Sequence, residues 1–141
     1  MNAISQRLMK TGIISICLIA AVTGCSSDEP TSPPLPGVEP EVVNLQDSFQ
    51  FQVTSVENYT GYWTYDWTTT GTIVNVDQSS AITAGTITLT IKDSAAKTVY
   101  SGDLSQGGSF TTDQGTTGQW RIVVSLTNGS GTLNFRTEKN Q

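Results

Sequence analysis

From residue 48 onward, apolar and polar side chains alternate one for one. "SFQFQV" at 48–53 sets Phe49, Phe51 and Val53 on one side and Gln50 and Gln52 on the other. "TITLTI" at 86–91 does the same with Ile87, Leu89 and Ile91 against Thr86, Thr88 and Thr90. "QWRIVVSL" at 119–126 aligns Trp120, Ile122, Val124 and Leu126, and "TLNFRT" at 132–137 aligns Leu133 and Phe135. A helix repeats every 3.6 residues and would scatter these side chains around its circumference. Only an extended chain has a period of two, so each stretch reads as a half-buried antiparallel strand. Composition agrees, because only 13% of residues are charged and threonine, a β-branched strand former, supplies much of the polar face.

"TNGSG" at 127–131 divides the last two runs and predicts a hairpin between them. Weaker strand patterns cover 60–69, 71–77, 97–102 and 108–112, separated by the turn-like "DQSSA", "DSAAK", "SQGG" and "DQGTTG". About eight short strands and no helical stripe predict an all-β fold, an antiparallel two-sheet sandwich of Ig-like or jelly-roll type, over residues 47–141.

The start of the chain is different in kind. "MNAISQRLMK" carries Arg7 and Lys10 with no acid, and "TGIISICLIAAV" at 11–22 is nearly all apolar. A basic segment, a short apolar segment and small residues make a secretory signal peptide over 1–24. The apolar run is shorter than the roughly 20 residues a membrane-spanning helix needs. "VTGC" at 22–25 resembles the lipobox of bacterial lipoproteins. That resemblance implies cleavage before Cys25 and acylation of its sulfur. It also implies an anchor in a membrane, because each buried methylene contributes roughly 0.8 kcal/mol. An ordinary signal peptide that leaves Cys25 free, or an uncleaved membrane anchor, is the alternative. In the same family Ser26 resembles cargo for an outer membrane, and Asp28 with Glu29 resembles a surface-export signal.

"SSDEPTSPPLPGVEPE" at 26–41 holds all five prolines. Proline fixes φ and lacks an amide donor, so this tract predicts an extended spacer. The expected organisation is a signal peptide at 1–24, a lipidated cysteine and tether at 25–46, and the sandwich from 47. Loss of residues 1–24 would leave five bases against twelve acids, a side-chain charge of −7. Such a chain lacks the basic footprint that nucleic acid requires.

"NYTGYWTYDW" at 58–67 is the densest aromatic cluster. In a strand, Trp63, Tyr65 and Trp67 share one face and Tyr62 and Asp66 the other. Large rings ordinarily fill cores, which is the preferred reading of the Trp63 face. The alternative is a ligand platform of Tyr62, Trp63, Tyr65, Asp66 and Trp67, with rings stacking on a glycan or a peptide.

Catalysis has little to work with. The chain has no histidine, hence no imidazole base, and its two cysteines, Cys17 and Cys25, both lie in the first 25 residues. Asp93, Asp103 and Asp113 fall in turn-like stretches, where a carboxylate usually caps backbone amides and a calcium site is the alternative. No cofactor motif is present.

"GTITLTIKDSAAKTVYSG" and "GTTGQWRIVVSLTNGSGTLNFRTEK" resemble the second half of small secreted jelly-rolls of the pre-peptidase C-terminal and GOLD type. The turn "DSAAK" departs from their pattern by lacking glycine. That resemblance implies a non-catalytic accessory or binding module. The expectation is therefore a cell-envelope lipoprotein, held by its lipid in the outer membrane or at the cell surface and binding a protein or glycan partner. A structural envelope subunit without a small ligand is the alternative, and a carboxylate-based hydrolase a distant third.

Overall fold

The computed structural model describes residues 38–141. The expected signal peptide and Cys25 lie outside those residues. Seven antiparallel strands follow in order: β1 (Glu41–Leu45), β2 (Ser48–Thr69), β3 (Val74–Gln78), β4 (Ala81–Lys92), β5 (Thr98–Asp103), β6 (Gly108–Thr111) and β7 (Gly118–Lys139). The all-β expectation holds.

Two strands of 22 residues, β2 and β7, organise everything else. They pair with each other from Ser48↔Glu138 to Thr69↔Gly118. A straight ribbon of that length would span about 70 Å. Instead it doubles over: the ring centroids of Phe49 and Tyr65, both on β2, lie 5.5 Å apart, and those of Phe51 and Trp63 lie 5.6 Å apart. The first half of β2 therefore faces its second half. One layer runs β1, β2 (48–53), β7 (131–139), β3, β6, and the other runs β2 (61–69), β7 (118–126), β4, β5.

The fold line has a local cause. Register slips between Val53 and Gly61 on β2 and between Ile82 and Thr86 on β4 mark bulges at one level of the sheet. Left-handed backbone clusters there, at Ser55 (φ 61), Asn58 (φ 45), Gly85 (φ 73), Asn128 (φ 48) and Gly131 (φ 135). Bulges bend a strand and tighten its twist, which is how one strand crosses between two packed sheets. Only glycine suits position 131, where φ is 135 and a Cβ would collide with the Ala81 carbonyl oxygen.

This crease corrects two expectations. "TNGSG" is no hairpin turn: β7 continues through it, with Tyr59↔Gly129 and Val56↔Gly131 paired. The predicted strands 48–53 and 60–69 are likewise two halves of β2. The folded body also begins earlier than residue 47. β1, placed by sequence in the tether, pairs along its length with β2, from Glu41↔Gln52 to Leu45↔Ser48.

The space between the layers is filled by alternate side chains of every long strand. Phe49, Phe51, Trp63, Trp67, Trp120 and Phe135 are all at most 1% exposed. At the end away from the crease, Asp47 ties the layers together. Its carboxylate accepts from the Thr70 amide (2.6 Å) and the Thr69 hydroxyl (3.0 Å), and its backbone bonds Thr68 and Lys139.

Candidate functional site

The aromatic cluster obeys the strand's alternation. Trp63 and Trp67 are each 1% exposed and point between the layers. The Trp63 ring lies 5.6 Å from Phe51 and 5.6 Å from Tyr59. Trp67 meets Trp120 edge-on at 6.2 Å, and its Nε1 donates to the Leu45 carbonyl at 2.8 Å. Tyr65 packs on Phe49 and Phe51, and burial pushes its phenol up to about 12. On the opposite face Tyr62 is 52% exposed, and Asp66 accepts from Arg121 Nε at 3.0 Å. The five residues thus do not converge. Trp63 and Trp67 belong to the core and Tyr65 is half-buried against it, which corrects the platform, and only Tyr62 and Asp66 face outward.

Two of the three loop aspartates, Asp93 and Asp103, cap backbone. Asp93, 5% exposed, accepts from the amides of Thr116 (2.8 Å), Lys97 (2.8 Å) and Ala95 (3.0 Å). These bonds hold its carboxyl below the ordinary carboxylate value, the Thr116 amide most of all. Asp103 accepts from the Ser105 amide at 2.8 Å. Among the described residues, no three His, Cys, Asp or Glu side chains come together as a metal site.

A concave site does exist, on the outer face of the first layer. It is an open trough of about 550 Å³. Strand register explains its shape. Val42, Phe51, Phe135 and Gln78 align across β1, β2, β7 and β3, and turn their side chains inward. Their backbone is the floor. Beneath it the rings of Phe51 and Phe135 stack at 5.1 Å, which keeps the floor rigid. The residues on either side of this row point outward and form two walls. One wall is Val43, Gln50, Arg136 and Asp77; the other is Glu41, Gln52, Asn134 and Ser79.

The walls are polar and partly pre-set. Arg136 Nη2 donates to Asp77 Oδ2 at 3.1 Å, and its Nε lies 3.6 Å from Glu138. Asp77 also accepts from the Ser109 hydroxyl. The Ser109 bond and the Arg136 guanidinium hold the Asp77 carboxyl below its usual range. The Asn134 amide and carbonyl are both bonded by the Ser80 hydroxyl, at 2.8 and 3.1 Å, so the trough's β7 wall is braced from β3's end. The trough's chemistry is hydrogen bonding by amides, a carboxylate and a guanidinium. Val43, 48% exposed, is the one apolar side chain on its walls.

Sequence reading missed this site for two reasons. Gln50 and Gln52 are indistinguishable in sequence from any solvated side of a strand, and β1 directly follows the proline tract. The signal was available only as a register: four strands must be aligned before their outward residues form rows.

No protein-family model matches the chain, and no curated protein matches it.

Proposed function

We propose that this protein is a lipid-tethered, non-catalytic binding module of a bacterial envelope, and that the trough on its first layer is the binding surface. The observation that carries the reading is the pair of polar walls over a rigid floor, within the roughly 300–1,000 Å³ range of small-molecule sites. The lipobox-like "VTGC" supplies the tether, and the proline tract after it supplies reach. Absence of histidine throughout the chain supports binding over catalysis.

Two measurements test it. The full-length protein made in a lipoprotein-processing bacterium should partition with membranes and carry acyl mass on Cys25, and Cys25→Ala should release it. Immobilised sandwich should retain a component of an envelope extract, and Gln50→Ala combined with Gln52→Ala should lose it. A free thiol on the native product overturns the anchor. Retention unchanged by the double variant overturns the trough and favours a structural subunit. Burial of Trp63 and Trp67 already points that way, because it removes the ring platform.

A further inference from the structure

Resting on that reading of the trough, we infer that its ligand is an extended, hydroxyl-rich and uncharged chain, a neutral oligosaccharide lying across the strands. Three features of the site select that chemistry.

The first is direction. The floor is the Val42–Phe51–Phe135–Gln78 row, which crosses four strands at right angles to them. Four strands span about 14 Å at their ordinary spacing, enough for about three sugar rings end to end. A peptide that docks by strand addition runs parallel to the strands and joins an edge. Here the backbone of β2, β7 and β3 has a strand partner on both sides, and only β1 at the trough's end is an edge, so recognition along the floor rests on side chains.

The second is the inventory of those side chains. Gln50, Gln52 and Asn134 each offer amide donors and a carbonyl acceptor, Glu41 and Asp77 only accept, and Arg136 only donates. Each wall therefore offers both donors and acceptors. A hydroxyl donates and accepts at once, so a polyol can satisfy either kind wherever it falls. A protein partner anchored by Trp or Leu side chains would bury these polar groups without partners, at a cost of about 1–3 kcal/mol each.

The third is charge. The trough's one cation, Arg136, is engaged by Asp77 and Glu138, while Glu41 has no cation within salt-bridge distance among the described residues. The field over the walls is negative, on a chain of formal charge −5. Uronate or sulfated chains are therefore repelled. With no exposed ring among the residues lining the trough, affinity per site is low, and many tethered copies on one surface would supply retention by avidity.

The test is nitrogen-15 NMR of the sandwich, titrated with a panel of neutral oligosaccharides (cellohexaose, laminarihexaose, maltohexaose) and with an oligogalacturonate of equal length. Shifts at the side-chain amides of Gln50, Gln52 and Asn134 and at Arg136 Nε are expected from at least one neutral sugar. Oligogalacturonate should give none at the same millimolar concentration. Gln50→Ala/Gln52→Ala should weaken the neutral sugar at least tenfold with an unchanged backbone spectrum. Thr90→Ala, on the other layer, should have no effect. Shifts at the trough from oligogalacturonate equal to or larger than those from the neutral sugars overturn the ligand class and leave the trough as the site. Shifts confined to residues outside the trough, or none from any neutral sugar, overturn the inference.

Discussion

Three tryptophans lie in the interior, and they differ in one atom's fate. Trp67 Nε1 donates to the Leu45 carbonyl at 2.8 Å and Trp120 Nε1 to the Thr116 carbonyl at 2.7 Å. Trp63 Nε1 is buried and has no partner. Replacing each by phenylalanine removes nearly the same apolar area, since all three are at most 1% exposed. The shared loss cancels in a comparison, and what remains is the N–H. Trp67→Phe and Trp120→Phe each break a hydrogen bond with a net contribution of about 0.5–1.5 kcal/mol. Trp63→Phe removes an unsatisfied donor whose burial costs about 1–3 kcal/mol. Trp63→Phe should therefore be milder than either of the others by about 1.5–4.5 kcal/mol. In a domain of this size 1 kcal/mol corresponds to roughly 4–8 °C in Tm, so the gap is measurable by circular dichroism in urea and on heating. If Trp63→Phe is as damaging as both other variants, the orphaned N–H is not there, and the packing assigned to this face is wrong.

Other outcomes follow from the crease, the clamps and the surface. Gly131→Ala should destabilise by more than about 2 kcal/mol, from backbone strain plus collision with the Ala81 carbonyl, while Gly107→Ala stays within about 0.5 kcal/mol in the same urea titration. Asp93 titrates lower folded than its ordinary value of 3.8, so its contribution is full above that value and fades as pH falls below it. The stability difference between wild type and Asp93→Asn should accordingly be widest at neutral pH and shrink in acid; a gap that grows in acid refutes the amide clamp. Arg121→Ala should cost less than about 1 kcal/mol, because its ion pair with Asp66 is exposed to solvent.

Strands were easy to read wherever a single phase persisted. Ile87, Leu89 and Ile91 in β4, and Trp120 to Leu126 in β7, announce both strand and core face without help from the rest of the chain. The crease was hidden because it changes phase. On β2 the inward set runs Phe49, Phe51, Val53, then Val56, then Trp63, so odd numbers yield to even and return. A bulge adds an unpaired residue, and in sequence that is indistinguishable from the end of one strand and the start of another. Asn128-Gly129 misled for a related reason. The residues that reverse a hairpin are those that tolerate positive φ, and a bend within a strand requires the same freedom. β1 was masked by its composition, since Glu41, Asn44 and exposed Val43 and Leu45 carry little burial signal and follow a proline tract. Without β1, each trough wall lacks its end member, Val43 on one and Glu41 on the other.

β7 stands at the middle of both layers, between β2 and its other neighbours, and it follows all six other strands in the chain. Neither layer can close before it arrives. Its pairing with β2 joins segments separated by most of the domain, and such distant closures are slow. During synthesis the earlier strands can form only their own pairs, such as β1 with β2 and β4 with β5. A chain exported as proposed above would, through that delay, stay slender until it reached the far side of the membrane.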